Sequence, residues 1–265
     1  MSTRLYVSAL FVYPIKSCRG IAVQSAHATP RGFAGDRLMM IVDEHGNMLT
    51  QRELPHMALI APSFAGEQLR LEAPGMPAFT FSPRTQGTTH PVAVWNTLTL
   101  GVDQGDEVGE WLSAYLGRPA RLVHIAAETR RPTRLGNGEV AFADAYPYLV
   151  LSNASLEDLS ARMGFPVLAT RFRPNVMIGG SAPFEEDTWR EVRLGEATLE
   201  LVKPCSRCAV VENDPETGRP THNVLAVLAT YRQQAGKVVF GQNAVLRHAG
   251  QVRIGDAVEV LTWRA

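Results

Sequence analysis

Two of the chain's three cysteines, Cys205 and Cys208, stand three residues apart in the stretch KPCSRCAVVENDPETG. Thiolates at that spacing can help hold zinc, run a dithiol–disulfide cycle, or give one sulfur to a softer metal. A structural zinc site needs four nitrogen or sulfur ligands. Here a single C-x-x-C exists, Cys18 stands alone, and His222 has no second histidine at ligand spacing. A catalytic dithiol belongs at the start of a helix, where the dipole lowers the thiol pKa. This pair instead follows the strand-like ATLELVKP and precedes the β-branched AVV. A third chemistry is one thiolate as the single protein ligand of a soft or high-valent metal whose other ligands come from an organic cofactor. Cationic and amide groups from elsewhere would then hold the cofactor's anionic tail, and YPIKSCRG, GDRLMMIVDEHGNMLTQRE and RFRPNVMI offer them.

The elements that must position these groups are mostly strands. RLYVSALFVYP, GIAVQSAHAT, DRLMMIVDEHGNMLT, MALIAPSF, QLRLEAP and VAVWNTLTLGVDQ are short β-type runs, with a hairpin tip at Glu44–Asn47. The period then changes: Val108, Trp111, Leu112, Tyr115 and Leu116 fall at helical spacing, with Asp106 suited to the start and Gly117 to the stop. After the strand-like ARLVHIA comes a loop over 127–147 carrying Arg130, Arg131 and Arg134. It is either a solvated basic loop or a lid or docking segment. SNASLEDLSARMG reads as a helix with Leu156, Leu159 and Met163 on one face, and NVLAVLATYRQ as another. ATRFRPNVMIGG, EVRLGEATLELVKP, AVVENDPETG, KVVFGQNAVLRHAG and RIGDAVEVLTW read as strands and turns. The result is an α+β, β-rich protein of barrel or sandwich type in two parts, divided near residue 120.

The 265 residues suffice for one large domain or two modest ones. Lysine plus arginine balances aspartate plus glutamate at 26 each, so net charge gives no reason to expect nucleic acid or an acidic membrane as partner. No apolar run approaches the ~18 residues of a membrane span, and the N-terminal segment lacks the pattern of a signal peptide. The expectation is a cytoplasmic protein with reduced thiols.

Six pieces in order, YPIKSCRG, DRLMMIVDEHGNMLTQRE, LSNASLEDL, RFRPNVMI, CSRC with its following DPETG, and FGQN, carry a resemblance that runs from residue 12 to 243. The chain resembles the MOSC-domain proteins, in particular the amidoxime-reducing components and their bacterial relatives. The resemblance implies an N-terminal MOSC-associated β domain over 1–120 and a MOSC β-barrel domain over 121–265. It also implies the molybdenum cofactor, a pterin with a dithiolene and a phosphate. By the same resemblance Cys208 is the molybdenum ligand and the catalytic residue, while Cys205 is a neighbour. Lys16, Ser17, Arg37, Arg173, Asn175, Ser206 and Arg207 are the implied cofactor-binding residues. Lysine and arginine suit the phosphate, and serine and asparagine the pterin edge.

Cys18 reads as a buried structural cysteine. Arg171 is expected to face away from Arg173. DPETG reads as a turn, with Asp214 near enough to steady the cysteine's surroundings. Ala145-Tyr146-Pro147 replaces the small hydroxyl residues of the mitochondrial proteins, and Asn243 follows FGQ where those have an aromatic. The implied activity is reduction of N-hydroxylated compounds, such as amidoximes and N-hydroxylated bases. Electrons would come from a separate ferredoxin- or flavin-type reductase, because no further cysteines are present for an iron–sulfur cluster. The alternative is a cofactor carrier, a sulfur-transfer protein or a non-catalytic binding module. Pyridoxal phosphate binding attaches to the family only as a general descriptor, since the chain has no domain to hold that group.

Overall fold

The computed structural model describes residues 4–221 and 223–264. Its largest sheet runs in the order Val258–Trp263, Trp189–Leu194, Ala197–Ser206, Lys237–His248, Tyr148–Ser152, Val176–Gly179, Tyr6–Val12 and Ile21–Val23. Every neighbour along this path is antiparallel except Tyr148–Ser152 with Val176–Gly179. A parallel pair needs a crossover, and helix Asn153–Met163 begins the one used here. The ladder does not close into a continuous barrel. Strand Tyr6–Val12 meets the far end of the order through the isolated bridge Tyr6–Ala257 and a few backbone bonds, among them Val258 N–H to Leu5 O at 3.0 Å and Val7 N–H to Asp256 O at 2.9 Å.

Alternation along the strands decides what packs where. Val150, Val176 and Ile178 join Val7, Leu10, Trp189, Val192 and Leu199 in one core. Their neighbours Leu151 and Met177 face the other way and pack with Leu159, Leu228 and Phe240. Burying each large aliphatic chain is worth about 1.5–3 kcal/mol, which is why a helix must cover the second face. Helix Asn153–Met163 starts where the Ser152 hydroxyl accepts from the Ser155 N–H at 3.1 Å, and it ends at Gly164 with φ 76°. Helix Val224–Ala229 covers the same face.

A second unit has the strand order Met39–Val42, Arg121–Ile125, Thr97–Asp103 and Thr89–Val94. A three-stranded sheet, Ala61–Ala65, Gln68–Glu72 and Phe79–Phe81, lies beside it. Helix Asp106–Leu116 buries Val108, Trp111, Leu112 and Leu116 against Ile15, Cys18, Met39 and Ile41. It stops at Gly117, whose φ of 69° suits glycine. Hydrogen bonding crosses residue 120 in both directions. Tyr6–Val12 pairs with Val176–Gly179, Ser25–Thr29 pairs with Gly250–Arg253, and Arg121–Ile125 pairs with Met39–Val42.

Three runs expected as strands contain 3-10 turns. Pro55–Leu59 precedes strand Ala61–Ala65, because the proline at its start presets a helical φ. Ala169–Arg171 precedes strand Val176–Gly179, and Ala209–Glu212 follows Cys208. In both, backbone bonds to nearby carbonyls replace the ladder. The loop over 127–147 is fastened rather than solvated throughout. Arg131 donates to the Ala141 and Ala143 carbonyls, Arg31 reaches the Thr129 carbonyl and Glu139, and Phe142 is fully buried.

Candidate functional site

Where the large sheet meets the second unit lies a cavity of about 430 Å³. All eight residues nominated from the sequence line it: Lys16, Ser17, Arg37, Arg173, Asn175, Ser206, Arg207 and Cys208. They arrive from separate places. Lys16 and Ser17 follow strand Tyr6–Val12, and Arg37 precedes Met39–Val42. Arg173 and Asn175 precede Val176–Gly179, and Ser206 to Cys208 leave the end of Ala197–Ser206.

The wall is strongly positive. Seven lining side chains are cationic (Lys16, Arg37, Arg52, Arg171, Arg173, Lys203 and Arg207) against one carboxylate, Asp144. Several cations are already committed. Arg37 donates to Asp36 at 2.6 Å, to the Asn175 side-chain oxygen at 3.0 Å and to Arg173 O at 3.1 Å. Arg207 donates to Phe240 O and, at 3.1 Å, to Phe172 O. Arg173 is different. Its Nη1 donates to Cys18 O at 2.6 Å, but its buried Nη2 has no partner among the described residues. Burial and the neighbouring Arg37 push its pKa below the usual guanidinium value. Both Arg37 and Arg173 lie over the Tyr13 ring, at 4.5 and 4.2 Å from its centre.

Asn175 has no hydrogen-bonding capacity left for a ligand. Its amide donates to Phe11 O and Asp36, and its oxygen accepts from Arg37 and the Leu149 N–H. It positions Arg37 and the strand around it. Lys16 donates to Phe142 O at 2.9 Å and to Asp144 Oδ1, which leaves one of its three protons free. Burial lowers the Lys16 pKa, with Asp144 opposing that shift. Crowding works against ionisation of Asp144, yet Lys16 and the Trp95 N–H at 3.0 Å hold its carboxyl down at about 2.

Cys208 is half-buried and caps the 3-10 turn Ala209–Glu212. Cys205, also half-buried, lies on the strand end and lines the same cavity. Arg207 stands between them in sequence, and burial lowers its pKa, with the two sulfurs opposing that shift. Gly241 lets the next strand approach Arg207: its φ is 72°, and a Cβ there would sit 2.9 Å from Val150 O. Cys18 is fully buried, as expected, and burial pushes its thiol up to about 12 despite Arg173. Among the described residues no three His, Cys, Asp or Glu side chains gather to hold a metal ion. His222 lies outside the described residues.

Backbone strain concentrates here. Ser17, Arg37, Trp95 and Arg173 have φ of 67°, 49°, 54° and 57°, and all four line the cavity. Left-handed backbone is costly for residues with a Cβ and persists where surrounding contacts over-determine it. Arg171 corrects an expectation. It lines the cavity together with Arg173, because the segment is a turn and because residues two apart on a strand would share a face in any case. It donates to Val211 O, Asn213 O and Thr221 and reaches Asp214 at 3.5 Å. Asp214 belongs to the expected turn, accepting from the Glu216 and Thr217 N–H groups. Sequence reasoning missed Arg52, Trp95, Asp144 and Lys203. The only available signal for Asp144 was its place just before Ala145-Tyr146-Pro147, which also lie in or beside the wall.

Residues 4–119 match the MOSC N-terminal beta barrel domain and residues 137–259 match the MOSC domain. Mitochondrial amidoxime-reducing component 1 of Mus musculus is 37% identical over 96% of this chain and 82% of that protein. Component 1 of Homo sapiens is 34% identical with the same coverage. Mitochondrial amidoxime reducing component 2 of Bos taurus is 32% identical over 95% of this chain and 82% of that protein. Among solved structures, the YUAD protein from Bacillus subtilis aligns over 96% of this chain and 93% of its own, at 12% identity and a TM-score of 0.46.

Proposed function

Because the chain belongs to the MOSC family that includes the amidoxime-reducing components, we propose that it is a molybdenum-cofactor-dependent reductase of N-hydroxylated compounds. The observation that carries this reading is the company Cys208 keeps: its half-buried thiol shares one cavity with Lys16, Arg37 and the unpartnered Nη2 of Arg173. A buried guanidinium nitrogen without a partner is expensive, and an anionic group is the natural way to satisfy it. The cavity holds Cys208 and Cys205 and, among the described residues, no group of three His, Cys, Asp or Glu side chains; a thiol in that setting suits a metal that brings sulfur ligands of its own. The residues present therefore fit the cofactor.

In this reading Cys208 supplies the protein sulfur, Arg173 and Lys16 hold the anionic tail, and Ser17 and Ser206 offer hydroxyls to the pterin edge. Arg37 and Asn175 fix Arg173 in place. When bound, the cofactor supplies two electrons for N–O cleavage, with two protons completing the N–H product and water. The protein's part is to present the Cys208 sulfur from a positively lined wall, to orient the substrate and to limit water in the cavity. The electron donor is proposed to be a separate ferredoxin- or flavin-type reductase, and the compartment the cytoplasm.

The test is metal and pterin analysis of protein made in cells able to synthesise the cofactor, followed by a benzamidoxime assay with an artificial electron donor. About one molybdenum per chain is expected, as a single-cysteine site implies. Protein replete with zinc and lacking molybdenum would overturn the reading. Molybdenum-loaded protein with no turnover would point to a carrier.

A further inference from the structure

Resting on that reading, we propose that Asp144 orients the substrate by accepting a hydrogen bond from the N–H next to the hydroxylated nitrogen. Asp144 is the one carboxylate among the lining residues, set against seven cations, so it does not hold the cofactor's phosphate. One of its oxygens is fixed. Oδ1 accepts from Lys16 Nζ and from the Trp95 indole N–H at 3.0 Å. Oδ2 accepts no hydrogen bond among the described residues, and the side chain is 63% exposed while lining the cavity. The mount is rigid. Arg131 holds the carbonyls of Ala141 and Ala143 immediately before it, Phe142 is fully buried, and Trp95 sits in left-handed backbone with Arg52 4.2 Å over its ring.

An ionised carboxylate with one oxygen pinned and the other open is an acceptor of fixed direction. The amino group of an amidoxime is a donor that fits it, and the amidinium product fits it better, since a charge-assisted pair forms. Neutralising Lys16 takes one oxygen only, and the second is left without a partner among the described residues. Asp144 is thus a specificity residue for substrates that carry N–H beside N–OH.

The decisive variant is Asp144→Asn. Lys16 and Trp95 both donate, so they hold the amide oxygen where Oδ1 stood, and the amide NH2 takes the place of Oδ2. An acceptor becomes a donor at the position that faces the substrate. The wild type and this variant are compared on benzamidoxime and on its N,N-dimethylated analogue, which has no amino hydrogen. Molybdenum content is measured alongside, and benzamidine binding is followed by calorimetry. Per bound molybdenum, the variant is expected to lose at least tenfold more in kcat/KM on benzamidoxime than on the dimethylated compound, and to bind benzamidine at least tenfold more weakly. Asp144→Ala should lose the same discrimination. Equal losses on both substrates, or unchanged benzamidine affinity, would overturn the proposal and leave Asp144 as a counterion for Lys16. A wild type that carries molybdenum yet reduces neither compound would instead defeat the functional reading, and the benzamidine titration would still decide whether Asp144 receives an N–H donor.

Discussion

A guanidinium nitrogen kept from water without a partner is tolerated in the free protein only because something else offsets it. Arg173 therefore gives the sharpest single-residue expectation. Removing a charge that grips a buried phosphate costs on the order of 2–5 kcal/mol of binding. Arg173→Ala should purify folded and depleted in molybdenum, and full metal occupancy in that variant would remove the arginine from the site. The two cavity cysteines should be unequal. Cys208→Ser replaces a soft anion with a hard, mostly protonated hydroxyl and should abolish amidoxime reduction. Cys205→Ser alters only the surroundings and should keep much of the activity per bound molybdenum. If the serine at 205 is dead and the one at 208 active, the ligand assignment is inverted. Asp144 sets an acid limit. Its folded pKa of about 2 lies below the usual carboxylate value near ~3.9. The stability its pairing with Lys16 contributes is present above about pH 4 and is lost as pH falls through 2. The stability gap between the wild type and Asp144→Ala in thermal melts should thus shrink progressively from pH 4 to pH 2, and a gap that stays constant over that range would show that the pairing is not what Asp144 contributes.

At the scale of elements, helix Asn153–Met163 is tied to the chain by a buried carboxylate. Glu186 Oε1 accepts from the Ser152 N–H, and Oε2 accepts from the Ser155 hydroxyl at 2.9 Å. Burial raises its pKa, and those hydrogen bonds only partly offset the shift. A carboxyl whose folded pKa lies above its unfolded value stabilises the protein fully below the unfolded value, near ~4.3, and loses that contribution as pH rises. Glu186→Gln escapes this penalty. Its stability relative to the wild type should therefore improve between pH 4 and pH 7, as read from denaturant midpoints; a constant gap would mean the carboxyl is not held protonated. This helix was legible in advance because its signals are local: Ser152 caps one end, Gly164 ends the other, and Leu156 and Leu159 fall at helical spacing. The turns at Ala169–Arg171 and Ala209–Glu212 were not, because β-branched and aromatic residues read as strand until tertiary contacts overrule them. In the site, five of the six quoted motifs contribute residues that do share one cavity, while LSNASLEDL contributes none. Trp95, Asp144 and Lys203 stayed hidden because only folding brings them beside Lys16, 79, 128 and 187 positions away along the chain.

For the whole molecule, the two units are interlocked rather than strung in series. Strand Tyr6–Val12 completes the large sheet beside Val176–Gly179, and Asn213 donates to Gln51 O at 2.8 Å from across the cavity. Arg173 reaches Cys18 O, and Arg19 reaches Pro215 O at 3.0 Å. A fragment covering 121–265 lacks the strand that flanks Val176–Gly179 and the one that pairs with Gly250–Arg253. It should fail to give native near-ultraviolet circular dichroism alone and recover it when the 1–120 fragment is added. Independent folding of the 121–265 piece would show that the interlock is dispensable. Cofactor binding should raise the melting temperature of the intact chain as a single transition, since a ligand held by both units stabilises both.

The cavity wall begins at Lys16 and is not complete until Asn243. A chain emerging from the ribosome at about 5–20 residues per second needs roughly ten to forty-five seconds to pass from one to the other. Throughout that interval the pocket does not exist, whatever the cell's supply of cofactor. Under the proposed function, cofactor loading is then an event in the life of the finished polypeptide and its positively lined shell. How long that shell endures, rather than how fast it is synthesised, sets the time available for filling it.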